Sequence, residues 1–106
     1  MEVSLPAMAR VSARGKGLKV EIVNISPQGL CFVCGKEFCF ADKVELTVEL
    51  QGMGLARLLT QVTWSGFLEK EKGYATGVKV IADDQEEREK FIRFYNLKLL
   101  YAVRQG

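Results

Sequence analysis

Residues 43–50 alternate without exception: Val44, Leu46, Val48 and Leu50 are apolar, while Lys43, Glu45, Thr47 and Glu49 are polar. Successive side chains of a strand point to opposite faces, so this run predicts a strand with one buried and one wet face. The same period recurs along the chain. Leu18, Val20 and Ile22 alternate with Lys19 and Glu21. Ala56, Leu58, Thr60, Val62 and Trp64 share one face of a strand over residues 55–64, and Tyr74, Thr76, Val78 and Val80 one face over 74–81. Residues 30–34, Leu-Cys-Phe-Val-Cys, form a short apolar run that fits a buried strand. A weaker strand over residues 7–13 sets Ala7, Ala9, Val11 and Ala13 on one side.

Punctuation falls between these runs. Residues 1–6 read as a loose arm turning at Pro6, and Arg14-Gly15-Lys16-Gly17 as a hairpin turn. Gln51-Gly52-Met53-Gly54 supplies another turn, and residues 65–73 a longer charged loop. Gly35-Lys36-Glu37 interrupts the third strand, after which Phe38-Cys39-Phe40 either resumes it or covers a barrel end.

After residue 82 the period changes. Asp83 or Asp84 can cap a helix, with Glu86 or Glu87 three residues on. Acidic residues crowd its first turn while Lys98 and Arg104 lie near its end, in the sense the helix dipole favours. Phe91, Ile92, Phe94, Tyr95, Leu97, Leu99 and Leu100 give it a broad apolar face. One helix over 83–104 beside six strands over 7–81 needs a surface to cover. The expected fold is all-β with one helix: a six-stranded antiparallel barrel closed at one end by the C-terminal helix, in a single domain.

Composition narrows the function classes. The 106 residues carry a net charge of +2, too small to argue for bulk nucleic-acid or membrane binding. No run is long enough to span a membrane, and residues 1–6 lack the character of a secretion signal, so a cytoplasmic protein is expected. The chain has no histidine, and neither paired carboxylates on one strand face nor a nucleophile motif is evident, so no enzyme chemistry is expected. Cys31, Cys34 and Cys39 make an odd number of thiols, against a closed disulfide set. Cys31 and Cys34 have CxxC spacing, but on a strand residues three apart face opposite ways, and no histidine completes a zinc site. They are read as core cysteines, with no metal and no cofactor.

Two constellations remain. Asn24-Ile25-Ser26-Pro27-Gln28-Gly29 joins the second and third strands. Turn chemistry accounts for these residue types, since Asn and Ser bond nearby backbone, Pro presets φ and Gly accepts φ > 0. Asn24 and Ser26 can equally face a ligand, because an amide and a hydroxyl each offer donor and acceptor to a nucleobase edge. Arg10 and Arg14 are four residues apart, and guanidinium forks suit phosphate or guanine. Exposed arginines in a strand and its turn account for the pair without any ligand.

Asn24 to Gly29 matches the [DN]xSxxG motif of PilZ domains, and Arg10 to Arg14 matches RxxxR in form. Val62-Thr63-Trp64, the loop after it, Thr76-Gly77-Val78-Lys79-Val80 and the terminal helix resemble the rest of that family. The resemblance spans nearly the whole chain. It implies a six-stranded barrel that binds the bacterial second messenger cyclic di-GMP (c-di-GMP) and relays the signal to a protein partner. By that resemblance Asn24 and Ser26 would bond guanine, Gly29 would allow the turn, and Arg10 and Arg14 would take phosphate and stack. The N-terminal segment would become ordered over the barrel when ligand binds. One departure stands out. The family's RxxxR precedes the first barrel strand, whereas here nine residues separate Arg14 from Asn24, which sets Arg10 inside strand one and Arg14 at its turn. The alternative is a degenerate PilZ domain that binds no nucleotide and works as a protein-interaction module, with an apolar patch around Leu97 to Val103. A barrel for single-stranded nucleic acid would want a basic groove with exposed aromatics. The aromatics here are expected mostly on strand core faces or the helix, which argues against it.

Overall fold

The computed structural model describes residues 1–11, 15–81 and 84–105, with the backbone alone at 104 and 105. Six strands form a closed antiparallel barrel in the order β1-β2-β3-β6-β5-β4, followed by one helix. The strands are β1 (Glu2–Arg10), β2 (Leu18–Ile25), β3 (Gly29–Cys34), β4 (Lys43–Leu50), β5 (Gly54–Leu68) and β6 (Gly73–Val80), and α1 is Gln85–Gln105. Closure removes the free edges that an open sheet of this size would present.

The alternating runs pack as their period requires. Val44, Leu46, Val48 and Leu50 are all fully buried, as are Ala56, Leu58, Thr60 and Val62 across the β4–β5 hairpin. Thr60 is the polar member of that layer, and its hydroxyl donates to the Val44 carbonyl at 2.7 Å, so its burial leaves no orphan group.

The ends of the barrel differ. At one end lie the β2–β3 turn, the β4–β5 turn and the start of β1. Helix α1 closes this end by driving Phe91 and Phe94 into the barrel core. The Glu87 carboxylate accepts from the Arg57 amide at 3.1 Å, and the Lys90 ammonium donates to the Leu55 carbonyl at 2.9 Å. Asp84 caps the helix, accepting from the Glu87 amide at 3.2 Å; Asp83 lies outside the described residues. The opposite end is plugged by Phe38, whose ring meets Phe32 edge-on at 5.3 Å. Residues 38–40 therefore cover an end rather than resume β3.

Several expectations need correction, the core cysteines among them: Cys39 is exposed, and Cys31 and Cys34 are only partly buried. Residues 1–6 are not a loose arm: β1 begins at Glu2, Leu5 is buried, and the segment pairs with β2. Pro6 did not stop the strand because pairing with β4 covers only Ala7 to Arg10, and a residue without an N–H is tolerated where the ladder ends. The 65–73 loop is shorter than expected, since β5 continues to Leu68 and pairs with Gly73 across a tight turn. Trp64 does not share the core face of Ala56, Leu58, Thr60 and Val62 but lies exposed on the outside.

The apolar face of α1 also outlasts the barrel. Phe91 and Phe94 are buried, yet Leu97, Leu99, Leu100, Tyr101 and Val103 are exposed. The Lys98 ammonium still reaches the Gln51 side chain in the β4–β5 turn, and beyond it the helix runs on past the sheet. Among the described residues no helix is long and apolar enough to cross a membrane.

Candidate functional site

Two β-bulges decide which side chains reach the outer surface near the β2–β3 turn. Pairing between β2 and β3 shifts register between Ile22 and Asn24. Pairing between β5 and β6 shifts between Val62 and Trp64. Strict alternation would send Asn24 inward after Val20 and Ile22, and Trp64 inward after Thr60 and Val62. An extra residue in each strand, Val23 and Thr63, reverses the phase. Asn24 and Trp64 therefore point out, and Ile25 takes the buried place that Asn24 would have held. The Thr63 hydroxyl donates to the Gly77 carbonyl at 3.1 Å, which ties its bulge to β6.

Both bulges fall on one cross-strand row. Asn24 is opposite Cys31, Cys31 opposite Gly77, and Gly77 opposite Trp64. With strands about 4.8 Å apart, the row spans roughly 14 Å of backbone. Its two middle members are small, so it forms a trough with an amide at one rim and an indole at the other. The indole leans over Gly77, where a Cβ would collide with its Nε1. The small size of Gly77 does admit a close neighbour, and that neighbour is Trp64.

On one side of this row is a recess of about 220 Å³ lined by Ser26, Gln28, Gly29, Thr63 and Lys79 together with Asn24, Cys31 and Trp64. On the other is a depression of about 620 Å³ bounded by Glu2, Val3 and Val23 and sharing Asn24, Cys31 and Trp64. Sequence reasoning missed Trp64, Gln28 and Lys79 as site residues. The signal for Trp64 and Lys79 lies in the strand pairing, which no local pattern reveals, whereas Gln28 sits inside the turn motif itself.

The turn itself is tightly bonded. The Ser26 amide donates to the Gly29 carbonyl at 2.9 Å, and the Gly29 amide donates to the Ser26 hydroxyl at 3.2 Å. The Ser26 hydroxyl also donates to the Gly29 carbonyl at 3.4 Å, so Ser26 braces its own turn with both its proton and one lone pair and keeps the other lone pair for a second partner. Gly29 is not in the left-handed region; the positive-φ glycines among the described residues are Gly52 and Gly54. Gly29 is needed because a Cβ there would strike the Val78 carbonyl of β6. Asn24 Oδ1 accepts from the Met1 ammonium at 3.1 Å.

Arg10 is not brought to this site. It closes β1 at the far end of the barrel, eight residues beyond Glu2, the partner of Asn24. At 3.3 Å per residue that is about 26 Å of strand. There its guanidinium pairs with the Glu45 carboxylate at 2.8 Å. Arg14 lies outside the described residues.

Cys31 sits half-buried in the floor of the trough, and desolvation raises its thiol pKa, partly offset by a backbone hydrogen bond from Thr76. The thiol is thus held neutral, as a small apolar floor rather than a nucleophile. Among the described residues no cluster of metal-ligating side chains is found.

No curated protein matches this chain in sequence. Among solved structures, K. pneumonia MrkH in complex with c-di-GMP superposes with a TM-score of 0.79 at 12% identity, over 96% of this chain and 50% of that one. The apo state of MrkH gives 0.79 at 12% identity, over 99% and 50%. The Bacillus subtilis inhibitor of motility MotI/DgrA gives 0.75 at 12% identity, over 95% and 49%. The present chain thus spans about half the length of each of these proteins. The family model for the PilZ domain matches residues 2–97. With that match over a closed six-stranded barrel, and with Asn24, Ser26 and Gly29 in the turn between β2 and β3, the chain belongs to the PilZ domain family.

Proposed function

We propose that this domain is a sensor or adaptor that binds c-di-GMP on the outer barrel face between Asn24 and Trp64. The observation that carries this reading is the pair of bulges that turn both residues outward onto one row. The amide of Asn24 can bond a guanine edge, and the exposed indole offers a flat face for a base. The role in which Arg10 takes phosphate finds no support, since Arg10 lies at the other end of the barrel in an ion pair. Ordering of residues 1–6 by ligand has none either, because they are already strand. A relay to a partner is supported only by element order: Lys79 of β6 lines the site, and α1 is the next element in the chain. The MrkH complex, a structural neighbour holding c-di-GMP, favours the same ligand class.

A calorimetric titration with c-di-GMP, with GMP as control, tests this. Selective binding that is lost in Asn24→Ala while the fold is retained supports it. Absence of heat and of amide shifts at high ligand concentration overturns it.

A second reading, an interaction module that binds no nucleotide, is favoured by the overhang of α1. Tyr101 and Val103 are 64% and 69% exposed, on a helix turn with no barrel beneath it.

A further inference from the structure

The nucleotide proposed above carries a negative charge on every phosphodiester, and the site must answer it without Arg10. Asn24, Ser26, Gln28, Thr63 and Trp64 are all neutral. We propose that Lys79 is the residue that takes the phosphate of the bound nucleotide, replacing the arginine pair with one lysine from inside the barrel sheet. This rests on the nucleotide reading.

The strand pairing places Lys79 for this role. It is two residues beyond Gly77 on β6, so both face outward, and it is paired with Gly29 on one side and Gln61 on the other. Its cross-strand neighbour Gly29 has no side chain, and the space over Gly77 holds the Trp64 indole, so the lysine stem lies beside the indole with no side chain from Gly29 over it. Lys79 is exposed and lines the same recess as Asn24, Ser26 and Trp64.

Competing charges are accounted for. Of the residues lining the two recesses beside the row, Lys79 is the only cation, and the only anion, Glu2, is the β1 partner of Asn24 at the end of the row. The ion pairs among the described residues are Arg10 with Glu45 and Lys90 with Glu87, so Lys79 is not neutralised by either. The Met1 ammonium is engaged with Asn24 Oδ1 and the Ile25 carbonyl, both at 3.1 Å. A lysine offers a compact point charge with three donors on a flexible stem, and it can meet a phosphate oxygen without the planar register a guanidinium demands.

The test compares wild type, Lys79→Gln, Lys79→Arg and Arg10→Gln by c-di-GMP titration at low and high salt. The chain's single tryptophan reports binding through its fluorescence, with calorimetry alongside. Lys79→Gln is expected to weaken binding about tenfold, the loss of one charge-assisted contact, and to flatten the salt dependence. Lys79→Arg should restore most of the affinity, and Arg10→Gln should leave it unchanged. If Lys79→Gln binds like wild type with the same salt response, the lysine assignment is wrong while the nucleotide reading stands. If wild type itself binds no c-di-GMP, the nucleotide reading falls and the lysine assignment falls with it.

Discussion

Asn24 and Trp64 lie on the outside of the barrel in the same cross-strand row because each follows a bulge that reverses the phase of its strand. Without the bulge at Val23 the Asn24 amide would sit in the apolar interior. Without the bulge at Thr63 the indole would fill the core. A buried unpaired amide costs on the order of 1–3 kcal/mol, so the bulge at Val23 removes a penalty as well as exposing a binding group. Of the two middle positions, Gly77 receives the Trp64 indole and Cys31 floors the space left between the ring and Asn24.

Gly77→Ala should displace the indole, because the added Cβ occupies the place of the Trp64 ring. Trp64 is 50% exposed, so the ring can swing away at little cost to the fold. The expected result is a shifted Trp64 emission, a nearly unchanged urea midpoint and weaker c-di-GMP binding. Trp64→Ala should weaken binding by about 1–3 kcal/mol, the range for one base stacked on an aromatic ring. Titration of both variants checks this, and unchanged affinity in both would remove the indole from the site.

Gly29→Ala should behave differently. Its Cβ meets backbone, the Val78 carbonyl, which cannot swing aside. The expected cost is about 1–3 kcal/mol of stability, as for other overpacked sites, and β3 must shift against β6. Urea denaturation measures the loss.

Arg10→Gln should cost at most about 1 kcal/mol, since the Arg10–Glu45 pair is solvent-exposed and largely screened. A larger loss of stability would mean that the pair does more than tie β1 to β4 at the surface.

Phe91→Ala should destabilise by about 3–5 kcal/mol, because the ring is fully buried where α1 closes the barrel. Leu100→Ser, on the overhang, should change stability by less than about 0.5 kcal/mol. Thermal or urea unfolding of the two variants separates the docked half of the helix from the overhanging half.

The raised thiol pKa of Cys31 sets a sign for alkaline stability. The folded chain holds the Cys31 proton more tightly than the unfolded chain does. This contribution is fully present below the ordinary thiol pKa and is lost as pH rises through the folded value. The melting temperature should therefore fall above about pH 9, and Cys31→Ala should make that fall shallower. Thiol-directed alkylation near neutral pH should label the exposed Cys39 before Cys31.

Much of the barrel was legible from period alone. Val44, Leu46, Val48 and Leu50 are buried as their alternation requires, and the change of period after residue 82 marks α1. Local pattern suffices there because burial of one strand face or one helix stripe repeats along the chain. The motif from Asn24 to Gly29 was legible too, because turn residues act on their own neighbours. The site was not. A bulge shows only in how one strand pairs with another, so the outward turn of Trp64, and the row it shares with Asn24, appear only in the folded sheet. The same holds for Lys79, which register sets beside Gly29 and the Trp64 indole, and for Gly29, which answers to a carbonyl 49 positions away in Val78. Arg10 shows the reverse: its spacing from Arg14 suggested a ligand pair, but a strand running the length of the barrel carries it to the far end, where Glu45 holds it. Sequence determined which residues alternate and where the chain turns; tertiary structure decided which of them meet, because closing the barrel sets neighbours by register rather than by distance along the chain.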